Sequence, residues 1–221
     1  MKMTGKKEKK NRRSIRLPDC TYGAPGAYFI TLCVQDHRCV FGRIVGGRMR
    51  FNRSGMIVKE EWMRTGRMRE EVELGCYAVM PNHFHGILFI QGDIRTRRRH
   101  SEKGTARRAP TDHPDDPPRF KDGTPMLRSF GEPASGSLSA VVRGFKSAVT
   151  RRVNRMRNTP GARLWQRNYY ERVIRDAEEL DSIRAYIVEN PARWAFDRNN
   201  PGVEGEPDEL PWEQNEQSRK T

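Results

Sequence analysis

The 221-residue chain has no apolar run long enough to cross a bilayer. The longest, Ala27 to Val34 broken only by Thr31, falls far short of the ~20 residues that a spanning helix needs. Its Lys-rich start leads into no apolar segment followed by a small-residue cleavage site, so no signal peptide is expected and the expected compartment is the cytoplasm. Cysteine is scarce. Cys20, Cys33, Cys39 and Cys76 show neither a C-x-x-C spacing nor the density of a disulfide scaffold, and read as reduced thiols. Apolar residues are only 35% of the chain against 32% charged, which is a low supply for a fully globular protein, so part of the length is expected to be disordered. The length itself fits one compact domain with tails rather than two domains.

Positive charge is what the chain has in excess: 42 Lys+Arg against 28 Asp+Glu, a formal +14. Such a surplus attracts phosphate backbones and releases their counterions. Ten of the 42 are lysine and the rest arginine, whose planar fork suits phosphate oxygens and guanine edges. A codon bias toward arginine would produce the same composition, and charge does not say what is done to a nucleic acid.

Residues 1–16 hold eight Lys/Arg, one Glu and almost nothing to bury, and read as a disordered basic arm. Ala27 to Val34 accumulates β-branched and aromatic residues apolar on both faces, which predicts a central strand. Arg43-Ile44-Val45 and Arg48-Met49-Arg50-Phe51 flank Gly46-Gly47, a pair free to adopt the positive φ of a tight hairpin. Met56, Ile57, Glu60, Glu61 and Trp62 predict a helix over about 54–66. Val72 to Met80 and His83 to Ile90 are extended runs joined only by Pro81-Asn82, and are therefore antiparallel neighbours. Residues 91–136, with six prolines and Arg97-Arg98-Arg99, read as a disordered insertion. Ser137 is a plausible N-cap for a helix carrying Leu138, Val141, Val142, Phe145, Val149, Val153 and Met156 at helical spacing. Its other side carries Arg143, Lys146, Arg151, Arg152 and Arg155. Tyr169 to Ile174 predicts a fourth main strand, and Ala177 to Asn190 a helix ended by Pro191. Residues 197–221 read as an acidic flexible tail, leaving 17–196 as the domain. With the hairpin set aside, the class is α+β. The order is the ferredoxin-like βαββαβ plan, a four-stranded antiparallel sheet with its first and third strands central, followed by a C-terminal helix.

His83-Phe84-His85 is the sharpest local signal. Residues two apart on a strand point the same way, so both imidazoles meet at one spot and can hold a divalent metal if a third ligand comes from elsewhere. Of the other histidines, His37 falls in a loop, and His100 and His113 in the insertion. On the terminal helix, Leu180, Ile183 and Ile187 form a buried stripe, and Tyr186 and Asn190, four apart, share the face beside it. A tyrosine oxygen can attack phosphorus beside a cation, and a carboxamide oxygen is a hard ligand for Mg²⁺ or Mn²⁺. Taken alone, that helix is better explained by Tyr186 at the core edge and Asn190 at a helix end before Pro191.

Tyr77-Ala78-Val79-Met80-Pro81-Asn82-His83-Phe84-His85-Gly86-Ile87-Leu88 resembles the histidine-motif segment of REP-associated tyrosine transposases, single-tyrosine relatives of the small HUH transposases of IS200 type. The resemblance extends, in order, through Pro25 to Thr31, Ser137 to Ser147, Leu164-Trp165-Gln166-Arg167-Asn168-Tyr169-Tyr170-Glu171, and Tyr186-Ile187-Val188-Glu189-Asn190-Pro191. It covers most of 17–196 and leaves out the insertion and both tails. It implies an enzyme that cuts single-stranded DNA beside a short REP-like hairpin through a 5′-phosphotyrosine. Carried over by position, His83, His85 and Asn190 bind Mg²⁺ or Mn²⁺, and Tyr186 attacks.

Tyr169 and Tyr170 are the rival nucleophiles, and their place on a strand favours packing or base stacking. Arg143, Lys146, Arg151, Arg152, Arg155 and Arg167 would grip the DNA backbone. Nucleoid association follows from that partner, as monomer or homodimer. Two other readings stand beside this one: a non-catalytic nucleic-acid-binding module of the same plan, stacking bases on strand aromatics, and a metal phosphoesterase that activates water.

Overall fold

A computed structural model describes residues 25–91, 136–203 and 210. The basic arm at 1–16, all but the ends of the insertion at 91–136, and most of the acidic tail lie outside the described residues.

Strand β1, Gly26–Cys33, alternates as a strand must, with Tyr28, Ile30 and Leu32 entering one apolar cluster and Phe29 the other. A short 3₁₀ turn at Gln35–His37 leads to a hairpin, β2 (Gly42–Val45) and β3 (Arg48–Phe51). Gly46 and Gly47 take φ of 57° and 69° at its turn, the positive pair that the sequence predicts. Helix α1 runs Arg53–Met68, slightly longer than expected, because Asn52 Oδ1 caps it by accepting from the amides of Ser54 and Gly55. Strands β4 (Val72–Val79) and β5 (His83–Ile90) follow, then α2 (Leu138–Arg157), which is capped by Ser137 as predicted. Strand β6, Tyr170–Ile174, starts one residue after the predicted Tyr169, and α3, Ala177–Glu189, is capped by Asp176. A second 3₁₀ turn covers Trp194–Phe196.

The main sheet has the order β4-β5-β1-β6 with antiparallel neighbours throughout, so the first and third strands of the βαββαβ plan are central. Helices α1 and α2 cover one face. Trp62, Phe145 and Val149 pack there on Phe84, Leu88 and Ile30. Gly86 has to be glycine on that face: a Cβ would stand 2.8 Å from both Phe84 and the Trp62 ring. Helix α3 covers the other face, with Ile183 and Ile187 packed beside Phe29, Ala78 and Ile87. On β5 the even residues Phe84 and Leu88 therefore look toward α1 and α2, and the odd residues His83, His85 and Ile87 toward α3. Arg172 and the Arg175 amide both bond the buried Glu179 carboxylate, which fixes the start of α3 against β6.

Candidate active site

His83 and His85 are fully buried on the central strand β5, with their rings 4.5 Å apart and Nε2 facing Nε2 at 3.0 Å. The protonation of His83 follows from its neighbours. Asn82 uses its amide nitrogen to donate to the carbonyls of His37 (2.9 Å) and Asn199 (2.6 Å), so its Oδ1, 2.8 Å from His83 Nδ1, can only accept. His83 therefore carries its proton on Nδ1 and turns the Nε2 lone pair toward His85. His85 Nδ1 lies 2.9 Å from the hydroxyl of Thr31, its cross-strand partner on β1. That hydroxyl can donate or accept, so either tautomer of His85 is accommodated.

Burial pushes the His83 imidazole down to about 4, against the Asp197 carboxylate and the Asn190 carboxamide, which pull it up. Burial, then the neighbouring His83, holds His85 well below the usual histidine range. Both rings are neutral at neutral pH and are competent ligands.

Three residues from two other segments converge on the pair. Helix α3 brings Tyr186, whose hydroxyl is 3.4 Å from His85 Nε2 and whose ring packs edge-on against Phe29. Asn190 follows one turn on, buried, with Nδ2 donating to Asp197 Oδ2 at 3.0 Å and Oδ1 given no hydrogen-bond donor among the described residues. Asp197 lies in the segment expected to be a flexible tail, yet it is 4% exposed, with Oδ2 3.6 Å from His83 Nε2 and Oδ1 accepting from the Asn199 amide. Sequence reading missed Asp197 and Asn82. Asn82 sits beside the histidines in the motif, but nothing local marks Asp197.

His83, His85 and Asp197 form a group able to hold a metal ion. Three features fit a divalent cation: two imidazole Nε2 atoms facing each other, a buried carboxylate with neutral imidazoles beside it, and a buried carboxamide oxygen with no donor among the described residues. Cys33, nearby, is pushed up to about 11 by burial and by Asp197, so it stays a thiol and offers no nucleophile.

A cavity of about 300 Å³ opens on this centre, walled by Thr31, His85, Tyr170, Tyr186 and Asn199 among others. Both rival tyrosines, Tyr169 and Tyr170, line this pocket with Tyr186, and the Tyr169 hydroxyl lies 3.5 Å from that of Ser139. Of the expected DNA-contacting residues on α2, Arg143, Arg151 and Arg155 are exposed. Arg152 is bonded to Glu60 and Glu61 of α1, and Lys146 donates to the Gln166 carbonyl at 2.7 Å. Arg167 is exposed on the loop before β6.

Fold and site together define a ferredoxin-like α+β domain with a His-x-His pair on its central strand and a tyrosine helix laid across it. The chain is 33% identical over 192 residues to an uncharacterized protein of Haemophilus influenzae, an alignment covering 85% of this chain and 92% of that protein, and the two belong to one family. No family model matches. Among solved structures, a REP-associated tyrosine transposase bound to a REP hairpin is 14% identical, with a TM-score of 0.46 over 77% of this chain and 68% of that one. A candidate transposase from Deinococcus radiodurans R1 is 15% identical, with a TM-score of 0.35 over 83% of this chain and 97% of that one. Among the described residues no helix is long and apolar enough to cross a membrane.

Proposed function

We propose that the chain is a metal-dependent single-strand DNA endonuclease and strand transferase of the REP-associated tyrosine transposase type. The observation that carries this reading is the convergence on His85 Nε2 of the Tyr186 hydroxyl, at 3.4 Å, and of His83 Nε2, at 3.0 Å. A phenol beside a buried, neutral, ligand-competent pair is an arrangement for attack on a phosphodiester. His83, His85, Asp197 and Asn190 would hold Mg²⁺ or Mn²⁺, which supplies charge stabilisation to the scissile phosphate. Imidazole nitrogens and hard oxygens together suit Mn²⁺ well.

Tyr186 Oη forms the new bond to phosphorus and the bond to the 3′ oxygen breaks. The phenol proton goes to solvent and the leaving oxygen ends as a 3′-hydroxyl. The phosphotyrosine keeps the bond energy, so a second 3′-hydroxyl can reverse the step and rejoin strands. Phe29 and His85 pack against the Tyr186 ring and set its approach. The partner is single-stranded DNA beside a REP-like hairpin, met in the nucleoid.

The covered sheet supports catalysis over a base-stacking module. Phe29 is fully buried under α3 and Phe84 under α1 and α2, so neither face of the central strands presents aromatics to a base.

The test is incubation of the full chain with labelled hairpin-bearing single-stranded DNA and Mn²⁺, followed by denaturing electrophoresis. A covalent adduct is expected, lost in Tyr186→Phe and in His83→Ala. Cleavage without an adduct would make the protein a water-activating phosphoesterase, and binding without cleavage a binding module. An adduct that survives Tyr186→Phe and disappears in Tyr170→Phe would move the nucleophile.

A further inference from the structure

A second cavity, of about 660 Å³, lies between α2 and the loop that precedes β6. Its cations come from both walls: Lys146 and Arg151 from α2, Arg163 and Arg167 from the loop. Among the described residues no acidic one lines it. The guanidinium groups of Arg151, Arg163 and Arg167 make no ion pair among the described residues and are exposed. Two other arginines of α2 are committed: Arg152 to Glu60 and Glu61, Arg157 to the Val40 carbonyl and the Ser54 hydroxyl. Lys146 has a structural part as well, since its bond to the Gln166 carbonyl ties the loop to the helix and holds the walls in place.

Exposed guanidiniums that make no ion pair among the described residues, in a groove with no described carboxylate in its lining, specify an anionic oxygen ligand.

Gln166 lines both this groove and the catalytic cavity, so the two adjoin at that residue. A catalytic cavity of about 300 Å³ has room for part of one strand and not for a duplex. A strand that leaves the catalytic cavity on the Gln166 side therefore reaches the groove single-stranded.

We infer that the α2–loop groove is the track for the single strand flanking the cleavage point, gripped through its phosphates by Arg151, Arg163 and Arg167. The direction of the track rests on the function proposed above; its affinity for a phosphodiester chain does not. It assigns binding to Arg163, which no motif singles out, and withdraws it from Arg152.

The test uses the full chain carrying Tyr186→Phe, so that only binding is read. Its affinity is measured across a salt series for a fluorescent oligothymidylate and for a blunt hairpin stem without flanks. Each phosphate contact on a single strand contributes about 0.7 to the slope of log affinity against log salt, so removing Arg151, Arg163 and Arg167 together to alanine is expected to lower it by about 2. All three are exposed, so the fold is expected to survive, as a melting curve will check. An unchanged slope on the oligothymidylate overturns the track. An equal fall on the blunt stem overturns it too, because the groove would then be a duplex dock. The covalent assay reports separately: an adduct with an unchanged slope sinks the track alone, and a lowered slope with no adduct from the native sequence sinks the transferase reading alone.

Discussion

Asn82 holds the His83 Nδ1 proton at 2.8 Å, and its own amide is pinned by two carbonyls from distant segments, those of His37 and Asn199. One side chain thereby fixes which nitrogen of His83 is free, and ties the histidine strand to the segment that carries Asp197. In Asn82→Ala, His83 is free to take the other tautomer and two carbonyls lose their donor. Mn²⁺ affinity is expected to fall 10–100-fold, the usual effect of losing a group that orients a ligand. Calorimetric titration of metal-free protein checks it, and an unchanged dissociation constant would show that His83 needs no such partner.

Thr31 does for His85 what Asn82 does for His83, from the neighbouring strand. Its hydroxyl donates to Nδ1 when His85 keeps a proton on Nε2, and accepts from Nδ1 when Nε2 is to bind a cation. Thr31→Val keeps the shape and removes that exchange. Weaker Mn²⁺ binding by about tenfold or more is expected, with the fold retained, by the same titration together with circular dichroism.

Much of this could be read from the sequence because it is local. Alternation along β1, the Gly46-Gly47 turn and the spacing of Leu138, Val141, Val142, Phe145 and Val149 each depend on residues a few positions apart. The two-faced apolar character of β1 marked it as central, and it lies between β5 and β6; that α3 would cover the face opposite α1 and α2 was not read from it. The His83/His85 pair was legible for the same reason, from the two-residue period of a strand. Asp197 was not. Its role arises from packing that brings residue 197 against residue 83, and an aspartate in an acidic, Pro- and Gly-containing stretch carries no local mark of burial. Nor could the sequence tell the committed Arg152 from the free Arg151 beside it, since that depends on where Glu60 and Glu61 fall on α1.

Acid should unfold the metal-free protein early. His83 is held down to about 4, and His85 is held low as well, whereas both titrate near 6.5 once unfolded. The unfolded chain therefore binds protons that the folded chain refuses. The stability that the neutral rings contribute is fully present above pH ~6.5 and is lost as pH falls below it, for His83 down to about 4 at about 1.4 kcal/mol per pH unit. Urea midpoints in EDTA between pH 7.5 and 5 check this. A flat profile would mean that the rings are protonated in the fold.

Gly86 tests the packing behind the site. An alanine Cβ there meets two rigid aromatic rings, Trp62 and Phe84, neither of which is a flexible chain end. The strand is anchored by β1 on one side and β4 on the other, so it has little room to retreat. Gly86→Ala is expected to cost about 1–3 kcal/mol, read as a lower denaturation midpoint. A change under ~0.5 kcal/mol would show that Trp62 can move aside.

Tyr186→Phe separates chemistry from architecture. The hydroxyl stands 3.4 Å from His85 Nε2, a long contact, and the residue is half-buried beside an open cavity, so water can take the place of the lost oxygen. The ring contacts with Phe29 and His85 belong to the carbon frame and survive in phenylalanine. Stability is therefore expected to change by less than ~1 kcal/mol, and the groove's salt-dependent grip on single-stranded DNA to persist. The covalent adduct, by contrast, is expected to vanish, because phenylalanine has no oxygen to give to phosphorus. A variant that melts several degrees lower and loses DNA binding together with the adduct would make Tyr186 a structural residue.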